Sequence, residues 1–314
     1  QLRHLKRMEV NTTMRKTLVA LFICLLPAFA FAKIQLPKVL GDNMVLQQHA
    51  EVKLWGKSDS KKDIVIKTSW DDKTYKTKAD GAGNWMVQVQ TIEAGGPYTI
   101  SFDDGDKLVL NDILLGEVWV CSGQSNMEFT IRGFIHQYTD GILGTLKQSV
   151  HYPNVRLFTV EKHSVATPQD DCKEGEWKQS SYENVLHFSA VAYYFGRMLN
   201  EALDVPVGVI TTNWGGSRIE TWMTEKSIQE TPGINHQLAM SWEGDNSKPA
   251  ALYNGMIHPI INYAAKGFIW YQGESNRDNY YDYKELMKSM INLWRAEWGD
   301  NEMPFYYVQL APYN

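Results

Sequence analysis

Three apolar runs, each stopping in a loop rich in glycine and side-chain amides, constrain the fold of this chain most tightly. Val118-Trp119-Val120-Cys121 enters Ser122-Gly123-Gln124-Ser125-Asn126-Met127. Val207-Gly208-Val209-Ile210 leads to Asn213-Trp214-Gly215-Gly216-Ser217, and Gly267-Phe268-Ile269-Trp270-Tyr271 leads to Gln272-Gly273-Glu274-Ser275-Asn276. Short apolar runs bounded by turn residues read as buried strands. Between them the period changes to that of helices. Ser189 can cap a helix carrying Val191, Tyr194, Phe195, Met198, Leu199 and Ala202, and Asp278 one carrying Leu286, Met290, Leu293 and Trp294. A further strand is expected at residues 305–310. Residues 111–314 therefore read as an α/β layer fold. Ligands sit at the carboxyl ends of strands in such sheets, so the three loops converge if their strands are parallel neighbours.

The preceding residues have a different rhythm. Residues 33–110 show short alternating runs, such as Val52-Lys53-Leu54-Trp55 and Ile64-Val65-Ile66-Lys67-Thr68, separated by Asp, Lys and Gly clusters. They predict a small β-sandwich. Residues 14–32 read as a signal peptide: Arg15 and Lys16, an apolar stretch at 18–31 too short for a membrane span, and the cleavage pattern Ala30-Phe31-Ala32. Residues 1–13 carry no pattern and read as a start-site extension. The expected location is secreted or periplasmic, without a membrane anchor after cleavage. Five basic residues and one acidic residue lie in residues 1–32, so the formal charge moves from −5 to −9 on their removal. That charge argues against nucleic-acid binding through bulk electrostatics. Cys121 and Cys172 would remain, with no metal-ligand spacing to a histidine. Cys121 reads as a small buried hydrophobe. No cofactor or metal is expected.

The convergent loops suit acyl transfer. A serine hydroxyl needs a base and donors for the oxyanion it creates. Ser125 would attack a carbonyl. The backbone N–H groups of Ser125 and Gly216, with Gly215 the neighbouring alternative, would face the oxyanion, and the Asn276 amide would add a third bond. Losing one such donor costs about 3–4 kcal/mol of transition-state stabilisation. No histidine offers an obvious base. His258 follows Met256-Ile257 in an expected helix, His187 precedes the Ser189 cap, and His136, His151 and His163 have no orienting neighbour.

These blocks, with Ile219-Glu220-Thr221-Trp222 and Leu252-Tyr253-Asn254-Gly255-Met256-Ile257, resemble the SGNH (GDSL-like) hydrolase superfamily, and within it the sialate O-acetylesterase and acetylxylan esterase group. The likeness runs over about residues 33–314. It implies a flavodoxin-like three-layer α/β/α domain and a metal-free serine esterase acting on acetylated carbohydrate. It further implies that Ser125 is the nucleophile, that Gly216 and Asn276 line the oxyanion hole, and that Gln124, Trp214 and Gln272 contact substrate. Glu274 would either orient the base or brace its loop. The resemblance also implies an Asp-x-x-His block after the last strand. None follows Leu310, so the expectation is a hydrolase domain incomplete at its C-terminus. A catalytically incomplete fragment acting as a carbohydrate-binding module is the alternative.

Overall fold

The computed structural model describes residues 34–71 and 73–312. The signal-peptide reading of residues 14–32 lies outside them. In chain order the elements are β1 (Val45–Gln47), β2 (Glu51–Lys57), β3 (Asp63–Thr68), β4 (Thr74–Lys78), β5 (Asn84–Gln90), β6 (Gly95–Asp103), β7 (Lys107–Gly123) and α1 (Ser125–Glu128). Next come β8 (Val155–Thr159), β9 (Trp177–Gln179), α2 (Ala190–Leu203), β10 (Val207–Asn213), β11 (Gly267–Tyr271), α3 (Tyr280–Trp298) and β12 (Phe305–Tyr307), with shorter helical turns between. The fold is mixed α/β around one large sheet.

The sheet is organised by β7, a strand of 17 residues. Its first part pairs antiparallel with β6, from Lys107 opposite Asp103 to Leu115 opposite Gly95. Its second part pairs parallel with β10 on one side, up to Gly123 opposite Asn213, and with β11 on the other, up to Gly123 opposite Tyr271. The sequence reading divided the chain at 110/111, which falls inside this strand. Asn111-Asp112 looks like a break, and Asp112 does take a left-handed φ of 56°. The backbone nevertheless continues. Arg156, 3% exposed, holds the Asp112 carboxylate with bonds of 2.9 and 3.1 Å. Burial alone would raise the Asp112 pKa, but the Arg156 hydrogen bonds and charge hold it below the ordinary value.

Alternating side chains send β7 into two cores. Val118 and Val120 join Ile210, Phe268 and Trp270, against Leu286, Met290 and Trp294 of α3. Trp119 and Cys121 join Leu157, Val209 and Ile269, against Ala192 and Tyr193 of α2. Burial pushes the Cys121 thiol up and the Cys172 thiol up to about 12, and both are free. Ser189 caps α2 as expected, its Oγ accepting from the Ala192 N–H at 3.2 Å. Asp278 does not cap α3. Asn279 precedes that helix without a side-chain cap, and Asp278 pairs with Arg218 instead.

β7 lies between β10 and β11, so the chain leaves it first to one side and later to the other. That reversal is a topological switch point, where a crevice opens at the carboxyl ends of the strands. Gly123 ends β7 with φ 144°, and a Cβ there would stand 2.1 Å from the Tyr271 carbonyl oxygen. Gly123→Ala is expected to cost at least ~3 kcal/mol, through a strained φ and a backbone clash that neither strand can relieve. Urea denaturation checks this. A loss under 1 kcal/mol would show that the strand ends are looser than described.

Candidate active site

The three loops meet beyond Gly123. The Gln124 N–H donates to the Tyr271 carbonyl at 3.0 Å, and the Trp214 N–H to the Gly123 carbonyl at 3.1 Å. Ser125 opens α1 and is half-buried. Its Oγ makes no hydrogen bond among the described residues. A Cβ on Gly215 would sit 3.5 Å from the Ser125 Cβ, so the second loop lies directly against the serine. From the third loop, Glu274 Oε1 accepts from Asn126 Nδ2 at 2.6 Å. Its Oε2 is buried and unpartnered among the described residues.

Several side chains hold this arrangement. Gln124 is 4% exposed, and its Oε1 accepts from the N–H groups of Gly273 and Ser275 at 3.3 and 3.2 Å. Glu128, one turn after Ser125, accepts the Gly215 N–H at 2.5 Å. Its other oxygen pairs with Lys162 at 2.5 Å, and Lys162 lies over the Trp214 ring, 5.4 Å from its centre.

Behind the loops is a buried polar cluster centred on Glu220, which is 0% exposed. Glu220 Oε2 accepts from Asn276 Nδ2 at 2.8 Å, and Oε1 accepts from Asn279 Nδ2 at 2.7 Å and Trp242 Nε1 at 3.2 Å. Asn276 also donates to Asn279 at 3.2 Å. Its Oδ1 accepts from the Ile219 N–H at 3.0 Å and from Gln272 Nε2 at 2.7 Å. Gln272 donates as well to the Ser217 carbonyl at 3.0 Å. The Arg218 guanidinium stacks 3.2 Å from the centre of the Trp242 ring. Burial pulls its pKa below the ordinary value, and the charges of Glu220 and Asp278 oppose that pull. Burial also pushes the Tyr283 hydroxyl up, keeping it a neutral partner 2.8 Å from Gln272 Oε1.

The expected site residues are placed as follows. The Asn276 amide donates to Glu220 and Asn279, so in this structure the side chain braces the third loop. Gln272, expected to meet substrate, is buried and spends its whole amide on the protein, whereas buried Gln124 commits only its Oε1. The N–H of Gly215, the neighbouring alternative, is taken by Glu128. The Gly216 N–H has no partner among the described residues, and Trp214 stays half-buried at the rim. Glu128, Lys162 and Arg218 were not singled out from the sequence. Glu220 was quoted there only as part of a motif, with no task.

The histidines are placed elsewhere or without a link to Ser125. His258 Nδ1 donates to the Gln169 carbonyl and His236 Nε2 to the Thr231 carbonyl, each at 2.8 Å. His187 lines a surface groove with Thr130, Arg132 and Phe134. No group of three or more metal-ligating side chains occurs among the described residues.

With this geometry in place, the family model described as carbohydrate esterase, sialic acid-specific acetylesterase, matches residues 115–314. The chain belongs to this family. It is 30% identical over 299 residues to the sialate O-acetylesterase of Homo sapiens, covering 87% of this chain and 56% of the human protein. The Mus musculus sialate O-acetylesterase is 27% identical, with 87% of this chain and 59% of the mouse protein covered. Among solved structures, a carbohydrate acetylesterase from Xanthomonas citri superposes with a TM-score of 0.79 at 36% identity, covering 88% of this chain and 60% of that one. The chain thus spans a little over half the length of these members of the sialic acid-specific acetylesterase family.

Proposed function

We propose that this chain carries the nucleophile and oxyanion donors of a serine carbohydrate esterase that removes O-acetyl groups from sialic acid or related acetylated sugars. The observation that carries the reading is Ser125, at the switch point of the sheet, with Gly215 against its Cβ and the Gly216 N–H left without a partner. Ser125 Oγ bonds to the acetyl carbon as its proton passes to a base. The carbonyl oxygen gains negative charge, which the backbone N–H groups of Ser125 and Gly216 stabilise. Collapse of this intermediate breaks the bond to the sugar oxygen, which takes the proton back. Water then repeats the sequence on the acetyl-serine and releases acetate.

In this reading one Glu274 oxygen braces Asn126, and the other, buried and without a partner among the described residues, is the acceptor available to orient a base. Trp214 is retained as the substrate contact at the rim. The two cores on opposite faces of the sheet support a flavodoxin-like three-layer arrangement. The β2–β5 pair, whose Val52, Leu54 and Val89 share a core with Ile64, Ile66 and Phe102, supports the β-sandwich reading of the preceding residues. Ala30-Phe31-Ala32 supports export to the periplasm or beyond. No helix among the described residues is long and apolar enough to cross a membrane.

The test compares acetate release from 9-O-acetylated sialic acid and from acetylated xylo-oligosaccharide, with mass-spectrometric mapping of a fluorophosphonate adduct. Release from at least one substrate, with the label on Ser125, is expected. No release from either and no label on Ser125 would overturn the assignment.

A further inference from the structure

We infer that Asn246 and Glu128 are positioning residues that fix the two peptides flanking Gly215, so that the Gly216 N–H is the one presented beside Ser125. The inference rests on the esterase reading above and adds two residues to it. The second loop closes as a turn, with the Ser217 N–H donating to the Trp214 carbonyl at 3.2 Å. Gly216 has φ 74°, while Gly215 is not among the residues of positive φ. A positive φ at the third turn position alone marks type II geometry. Types I and II differ mainly by a flip of the central peptide, here the one joining Gly215 to Gly216. Whatever holds that peptide decides which way its N–H faces.

Asn246 holds it directly, and Glu128 holds the Trp214–Gly215 peptide just before it. Asn246 Nδ2 donates to the Gly215 carbonyl at 2.8 Å, and the Ser247 hydroxyl donates to Asn246 Oδ1 at 3.2 Å, which orients the amide. Carbonyl and N–H point in opposite directions across a trans peptide. Pinning the Gly215 oxygen on Asn246 therefore turns the Gly216 N–H away from Asn246. Glu128 takes the Gly215 N–H at 2.5 Å and is itself held by Lys162. Both polar groups of Gly215 are thus occupied, and the next N–H is left for a developing oxyanion. A side chain at Gly216 would defeat the device, since its Cβ would stand 2.9 Å from Asn246 Nδ2.

The test uses Asn246→Ala, Asn246→Asp, Glu128→Ala and Glu128→Gln in the full chain. Asn246→Ala and Asn246→Asp remove the donor and are expected to lower kcat about 10–100-fold, with KM within about threefold and Tm unchanged. The inhibition constant of a boronic acid, whose serine adduct places an oxygen where the oxyanion forms, should rise by the same factor. Glu128→Ala should behave likewise, whereas Glu128→Gln keeps an acceptor for the Gly215 N–H and should stay within a few-fold of the parent. Unchanged kcat in Asn246→Ala, or a kcat loss without loss of boronate affinity, would overturn the inference. Amide hydrogen exchange by NMR reads the clamp without activity. Gly215 should be protected and Gly216 not, with the Gly215 protection lost in Glu128→Ala. If the parent chain releases no acetate, the esterase reading fails and exchange decides the clamp alone. Equal exchange at Gly215 and Gly216 in the parent would then refute it.

Discussion

Ser125→Ala is expected to lower kcat for acetate release by about four to six orders of magnitude, the range in which serine hydrolases lose activity with their nucleophile. The substitution is clean in this structure. Ser125 is half-buried, and its Oγ bonds to nothing among the described residues, so alanine breaks no structural hydrogen bond. Stability should remain within about 0.5 kcal/mol of the parent, as for a change away from core or network. Acetate release under single-turnover conditions, beside a thermal melt, separates the two effects. Activity within tenfold of the parent would remove Ser125 from the chemistry. The small residue left is expected to reflect the oxyanion donors and substrate binding, which act without the nucleophile.

The largest effect on stability is expected at Glu220. Glu220→Ala removes an acceptor that serves Asn276, Asn279 and Trp242 together, and leaves the Arg218 guanidinium without its buried counter-charge. Leaving the three buried donors without their charged acceptor costs about 3–5 kcal/mol together. Glu220→Gln keeps the volume but sets an NH2 group against donors, and is expected to cost about 1–3 kcal/mol. Urea denaturation of both variants gives the comparison. A Glu220→Ala cost under 1 kcal/mol would mean that the cluster is held by packing alone. Activity should fall in step with folding, because the cluster braces the Gln272–Asn276 loop and the end of the second loop at Ser217 and Ile219.

Whatever is written into the local pattern of the chain proved legible. Val118-Trp119-Val120-Cys121, Val207-Gly208-Val209-Ile210 and Gly267-Phe268-Ile269-Trp270-Tyr271 are central strands because an unbroken apolar run can be buried on both faces. Their loops meet because parallel strands end on the same edge. The direction of a side chain within those loops was not legible. Asn276 turns toward Glu220, 56 residues away, and no spacing rule signals a bond of that length. Asp278 pairs with Arg218, 60 residues away, and does not cap α3. Asn111-Asp112 carries the composition of a domain break, yet Arg156 holds Asp112 in place and the strand runs on. Asn246 sits in Gly244-Asp245-Asn246-Ser247, which reads as an ordinary turn. Its partner at Gly215 emerges only when the loops are assembled.

The uninterrupted course of β7 makes the Ser125 loop a terminus of the β-rich region. A cut after residue 110 would leave the serine-bearing part beginning in mid-strand, stripped of β1 beside Leu114 and Leu115 and of β6 beside Ile113. The β-rich part would keep the β6 pairs from Lys107 to Leu110 and lose those at Ile113 and Leu115. Exchange of these regions between relatives as cassettes must therefore cross within β6 or ahead of it, so that β7 travels whole with the serine.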